Sequence, residues 1–133
     1  MKTDHPVSGS CLCGTVTYKL DSLDRDVVYC HCLQCRKQTG HFVAATRAKD
    51  ANLSVTGENN LTWYPASEQA KRAFCKHCGS LLFWKRNNSN NTSIMAGSLD
   101  APTKLSSACH IYTEFKGDYY EITDDLPQHQ TTD

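Results

Sequence analysis

The chain lacks an excess of charge of either sign: Lys plus Arg and Asp plus Glu number 14 each among 133 residues, so the formal net charge is zero. A protein that tracks a phosphate backbone or an anionic membrane surface usually carries a basic excess or stripe, so no nucleic acid and no membrane is expected as a partner. Long apolar runs are missing as well. Stretches such as Leu81–Trp84 stop at four residues, far from the roughly 18 that a membrane-spanning helix needs. Residues Met1–Pro6 hold Lys2, Asp4 and His5 with no apolar segment after them, so a secretory leader is not expected and a cytoplasmic location is. Core-forming side chains are scarce: Leu, Ile, Val and Phe total 24, about 18% of the chain, a thin supply for a globular protein. With no net charge to hold the chain open, that thinness argues for an added source of stability rather than for disorder.

What the chain has instead is cysteine, eight residues in all. In a reducing compartment these read as metal ligands before they read as disulfides. The length suits one compact domain. Short runs rich in β-branched or aromatic residues predict strands at Thr15–Leu20, Val27–Tyr29, Phe42–Thr46, Leu53–Val55, Leu81–Trp84, Ser93–Met95, Ser107–Tyr112 and Tyr119–Ile122. Turn-formers separate them, as in Gly57-Glu58-Asn59-Asn60 and Asn87-Asn88-Ser89-Asn90-Asn91. Helix signals are few: one start at Leu33–Thr39, just after a cysteine cluster, and a short turn near Ser67–Ala70. The expectation is a mainly β, antiparallel single domain over residues 1–123, its loops carrying the cysteines, followed by a polar tail, residues 124–133, that frays.

The cysteines fall into Cys11-x-Cys13, Cys30-x-Cys32-x-x-Cys35, Cys75-x-x-Cys78 and the single Cys109. The segment Phe74–Ser80 looks like a zinc knuckle, in which Gly79 is expected to take a positive φ so that backbone N–H groups turn toward the thiolates. A four-thiolate site needs a second pair. Joining Cys75 and Cys78 to Cys11 and Cys13 completes one tetrahedral set and leaves Cys30, Cys32 and Cys35 as a group of three. A complete set is the pattern of a structural zinc; three protein ligands with a position left for water or substrate is the pattern of a catalytic one. Two zinc ions per chain are therefore expected, and seven thiolates with two such ions would shift the formal charge to about −3. Three other uses of the sulfurs stand beside this one. Disulfides are disfavoured by the strain of a Cys-x-Cys bridge. An iron–sulfur cluster would also suit four thiolates. The second site could be a structural one, closed by His31 or another neighbour. His31, between two ligands, is expected to point away from the metal they share, and Cys109 to be a buried thiol in a strand.

Gly9-Ser10-Cys11-Leu12-Cys13-Gly14, Cys30-His31-Cys32-Leu33-Gln34-Cys35-Arg36, Phe74-Cys75-Lys76-His77-Cys78-Gly79-Ser80, Ala96-Gly97-Ser98-Leu99-Asp100 and His110-Ile111-Tyr112 follow one another in an order and spacing that resembles the glutathione-dependent formaldehyde-activating enzymes, which share a family with centromere protein V. The resemblance implies a fold similar to that of Mss4-type proteins, β-sheets pinned by zinc. It implies a structural zinc on Cys11, Cys13, Cys75 and Cys78, and a catalytic zinc on Cys30, Cys32 and Cys35. It also implies a carbon–sulfur lyase or synthase that adds the glutathione thiol to formaldehyde, giving S-hydroxymethylglutathione, and runs the reverse cleavage. Many members carry a tryptophan after the His-Ile strand where this chain has Tyr119, a difference expected in a pocket wall and not at a ligand.

The expected partners are thus a small thiol and an aldehyde. Glutathione brings two carboxylates, and Arg36, Lys37, Lys71, Arg72 and Lys76 flank the cysteine clusters. Arg36 is the expected substrate contact, because it follows the last ligand directly and its fork can grip a carboxylate with two hydrogen bonds. The competing expectation is a non-enzymatic, zinc-stabilised binding module, since fold alone does not decide function. The three-cysteine group separates the two, because a scaffold gains nothing from an incompletely coordinated metal.

Overall fold

The computed structural model of the chain describes residues 5–132; the leader reading at residues 1–4 and the last residue of the tail lie outside the described residues. Two sheets form one mainly β domain. β1 (Val7–Ser10), β2 (Thr17–Leu20) and β5 (Leu53–Thr56) make a three-stranded antiparallel sheet in the order β1-β2-β5. The larger, seven-stranded sheet runs β10 (Ser107–Ile111), β3 (Val27–Cys30), β4 (Val43–Lys49), β9 (Asn91–Met95), β8 (Leu81–Arg86), β7 (Ala70–Cys75) and β6 (Leu61–Tyr64). Every ladder is antiparallel except β10 with β3, which are parallel with Cys109 opposite Val28 and His110 opposite Tyr29.

Strand alternation sorts the side chains between two packing zones. In β2, Tyr18 and Leu20 are buried while Thr17 and Lys19 are exposed, and the buried pair joins Val7, Val16, Leu23, Ala48, Leu82, Phe83 and Ile94 in the larger core. On β4, Val43 and Ala45 lie in a second, smaller cluster with Cys35 and Met95, against which Cys30, Cys32, Leu81 and Trp84 pack. Each cluster includes cysteines, so the few apolar residues of the chain are concentrated around them.

The single α-helix of the described residues, α1 (Leu33–Thr39), has the predicted bounds. Its N-cap is Cys32, whose sulfur accepts the Cys35 N–H at 3.3 Å, and it ends on Gly40 at φ 85°, whose N–H returns to the Arg36 carbonyl. This is the left-handed C-cap that glycine adopts without a Cβ penalty.

Four features differ from the sequence expectation. β1, β6 and β7 were not among the predicted strands. β7 contains no β-branched residue and one aromatic, Phe74, so propensity is weak there; it is held extended by ladders to both β6 and β8 and by burial of Ala70, Arg72, Ala73 and Cys75. Tyr119–Ile122 is not a strand; its aromatic residues are instead engaged with histidines, Tyr119 with His41 and Tyr120 with His31. The β10–β3 pair is parallel where antiparallel pairing was expected. Finally, the tail is fastened rather than frayed: the His110 N–H donates to Pro127 O at 2.9 Å, the His129 N–H to His110 O at 2.9 Å and the Tyr112 N–H to Thr131 O at 2.8 Å. β10 is an edge strand, and the tail takes up backbone groups that would otherwise be left open.

Candidate functional site

Cys11 and Cys13 lie just after β1, Cys75 ends β7 and Cys78 lies in the turn that follows. The four sulfurs are all within 4.8 Å of one another, with Cys11 to Cys13 at 3.6 Å and Cys13 to Cys75 at 3.7 Å. A tetrahedron of thiolates around a zinc at about 2.3 Å has edges of about 3.8 Å, so the donor set fits that metal in type, number and spread. Both knuckles close on a glycine in the left-handed region, Gly14 at φ 81° and Gly79 at φ 79°, the latter as expected from the sequence. Their N–H groups donate to the carbonyls of Cys11 and Cys75. Neutral hydroxyls surround the sulfurs: Thr15 Oγ1 is 3.2 Å from Cys13 and 3.4 Å from Cys75, and Ser80 Oγ is 3.3 Å from Cys78. The Ser80 hydroxyl, first among several donors, pulls the Cys78 thiol down to about 5. Because Cys11 and Cys13 come from the small sheet and Cys75 and Cys78 from the large one, this cluster ties the two together.

Cys30, Cys32 and Cys35 form the second group, again within 4.8 Å, with Cys32 and Cys35 3.2 Å apart. Cys30 ends β3, Cys32 caps α1 and Cys35 is buried in its first turn. Hydrogen bonds from Cys30 and then Cys35 hold the Cys32 thiol far below its ordinary value, while the Cys32 contact pushes Cys30 up. Among the described residues no further Cys, His, Asp or Glu completes this group. All eight cysteines are free of disulfides, and Cys109 is buried in β10 as expected.

His31 faces away from the sulfurs, as its place between two of them suggested. An extended backbone sends successive side chains to opposite sides. The ring, 1% exposed, stacks among Phe42, His110 and Tyr120. Its Nδ1 meets the Tyr120 hydroxyl, its Nε2 lies 2.8 Å from Nδ1 of His110, and Nε2 of His110 lies 2.9 Å from the Asp124 carboxylate. With both rings neutral the chain has one direction: Tyr120 O–H donates to His31, His31 Nε2–H to His110, and His110 Nε2–H to Asp124. The His110 contact in turn holds the Asp124 carboxyl below the usual range.

The flanking cations have separate fates. Arg36 is half-buried on α1, with its Nε buried and unpartnered, and its charge reaches Tyr120. Lys37 and Lys76 are exposed, and Lys71 sits 4.6 Å over the Trp63 ring. Arg72 is the one hydrogen-bonded to a sulfur, from Nη2 to Cys35 Sγ at 3.3 Å. A cleft of about 550 Å³ runs from Cys11, Leu12 and Ser80 past Leu81 and Met95 to Ser98 and Leu99, a size in the range of small-ligand pockets. Leu81 and Met95 also pack on the three-cysteine group. Sequence reasoning missed the roles of Arg72, His110, Tyr120 and Asp124. Only the alternation around His31 was readable; its partners lie 79 and more positions away.

A family profile described as glutathione-dependent formaldehyde-activating enzyme matches residues 6–115. An uncharacterized lyase of Schizosaccharomyces pombe is 32% identical over 84 residues, covering 62% of this chain and 60% of that protein; the chain thus spans less than two thirds of that relative. The crystal structure of a Rhodobacter sphaeroides protein is similar with a TM-score of 0.55 at 29% identity, covering 71% of this chain and 88% of the other. The profile range holds the seven clustered cysteines with His31, Arg36, Arg72 and His110, whereas Tyr120 and Asp124 lie beyond it.

Proposed function

The chain belongs to the glutathione-dependent formaldehyde-activating enzyme family, and from that premise we propose that it is a zinc-dependent carbon–sulfur lyase acting on a small thiol such as glutathione and an aldehyde such as formaldehyde. The family and the lyase name of the Schizosaccharomyces pombe relative support lyase chemistry. The observation that carries the finer reading is the contrast between the clusters: a complete four-sulfur set beside a set of three. Cys11, Cys13, Cys75 and Cys78 would hold a structural zinc, and Cys30, Cys32 and Cys35 the catalytic one. Bound at the three cysteines, zinc supplies Lewis acidity that keeps a thiol as thiolate or polarises an aldehyde oxygen.

In the synthetic direction a sulfur–carbon bond forms, the carbonyl π bond breaks, and the thiol proton ends on the new hydroxyl oxygen. The chain's own groups would bind and shield. Trp84, Leu81 and Met95 share one packed apolar cluster with the three cysteines and would limit water there, which strengthens every charge interaction at the site. Arg36, one residue past Cys35, would take a glutathione carboxylate. A thiol substrate and the clustered thiol ligands both belong in a reducing compartment, so the cytoplasm is the proposed location; among the described residues no helix is long and apolar enough to cross a membrane.

The test is exchange spectroscopy of glutathione and formaldehyde, with metal content measured on the same sample. Two zinc ions per chain and S-hydroxymethylglutathione formation above the uncatalysed rate, lost in Cys32→Ser, are expected. A folded two-zinc protein without rate enhancement for any small thiol would replace this reading with a zinc-stabilised binding module.

A further inference from the structure

Arg72 is in the body of β7 and 3% exposed. A guanidinium in that position is costly unless an anion faces it. Among the described residues Arg72 is in no ion pair with a carboxylate; pairs such as Arg47 with Asp24, Lys85 with Asp50 and His110 with Asp124 lie elsewhere. The Nε and Nη1 atoms of Arg72 are buried without a partner, and Nη2 donates to Sγ of Cys35 at 3.3 Å. The cross-strand register puts Arg72 beside Trp84, which belongs to the same packed cluster as the three cysteines. Among the described residues, the anion available to this buried cation is therefore the thiolate cluster.

Charge arithmetic agrees with that pairing. Three thiolates around a divalent metal carry one net negative charge, which one guanidinium cancels. The four-cysteine group would carry two, yet its sulfurs meet the Thr15 and Ser80 hydroxyls and the Val16 N–H, and Cys13 is exposed, so water screens it. Resting on the proposed function above, we propose that Arg72 is a positioning residue of the three-cysteine site: it neutralises the third thiolate, fixes the direction of Cys35 Sγ, and draws charge from that sulfur so that the bound metal stays electrophilic. Arginine suits the place because it stays protonated when buried, whereas a buried lysine readily loses its proton.

The experiment uses the full chain loaded with cadmium, whose NMR spectrum gives separate signals for four-sulfur and three-sulfur sites. In Arg72→Met the three-sulfur signal should shift while the four-sulfur signal stays. One of the two metals should be released to a chelator with affinity lowered about 10–100-fold, the range for loss of an outer-shell partner. Arg72→Lys, which keeps the volume and one donor should Met prevent folding, should give a smaller change of the same sign. In a double-mutant cycle, Cys35→Ser should destabilise less when Arg72 is already Met, because no unpaired buried cation remains. An unmoved three-sulfur signal with unchanged metal release in both variants, even with a lower melting temperature, would overturn the proposal. These readouts need no turnover, so an inactive wild type would remove the proposed reaction without deciding Arg72.

Discussion

Nε2 of His31 and Nδ1 of His110 lie 2.8 Å apart in the interior, on residues 79 positions apart in the chain. The contact links the loop of Cys30 and Cys32 to β10, and through Asp124 to the tail. It makes the tail part of the site's support.

The first prediction concerns the charge on His31. Burial foremost, then the neighbouring His110, His41 and Lys116 side chains, lowers its pKa from 6.5 to about 4. The unfolded chain therefore binds more protons than the folded one between those values, so this residue's contribution to stability is complete above about pH 6.5 and falls as pH drops toward 4. Nitrogen NMR at pH 6 should show a neutral His31 ring protonated on Nε2. A ring already charged at that pH would contradict it.

Substituting the far ends of the same chain should cost stability with little change in size. Tyr120→Phe removes one partner of the buried His31 imidazole, and about 1–3 kcal/mol is expected from a group left unsatisfied; Asp124→Leu, which removes the acceptor of His110 Nε2–H, should lower stability in the same direction. Urea denaturation of the zinc-loaded protein measures it. Wild-type stability in both variants would show that the network is passive.

The two metal groups should respond unequally. Cys78→Ser breaks the cluster that ties both sheets, so the domain should unfold or become insoluble. Cys32→Ser should lose one zinc and keep the fold, because the other four ligands are elsewhere. Metal analysis with circular dichroism decides; equal damage from both would make the two sites structural.

Arg36→Ala should weaken glutathione binding by about 1.5–3 kcal/mol, or roughly tenfold or more, if its fork holds a carboxylate. Calorimetric titration at equal zinc content checks this. Unchanged affinity would move the carboxylate contact to Lys37, Lys71 or Lys76.

Gly9 faces Tyr18 across the β1–β2 ladder, and a Cβ there would fall 2.3 Å from the Tyr18 ring and 2.5 Å from the Ser98 carbonyl oxygen. Two of the closest atoms are a fully buried ring and backbone, so neither yields cheaply. Gly9→Ala should destabilise by about 1–3 kcal/mol, read as a lower urea midpoint.

The parts legible in the sequence were those whose cause is local. Cysteine spacing within each knuckle, the turn at Gly79 and the helix after Cys32 depend on residues a few positions apart, and each was found where expected. β7 escaped because its extended form comes from neighbours on both sides and not from Ala70-Lys71-Arg72-Ala73. Tyr119 and Tyr120 gave a false strand signal because aromatic residues favour both strands and ring contacts, and here the histidines engaged them.

By itself, then, the sequence determined that this thin-cored chain gathers its cysteines as four and three, since ligand number and short-range spacing are set by the metal's own coordination. Only the tertiary structure decided what surrounds each group. Charge balance and hydrogen-bond direction act through space: Arg72 meets Cys35 across 37 positions and Asp124 reaches His31 through His110. Strand order, including the parallel pairing of β10 with β3, had to be fixed before either contact could exist.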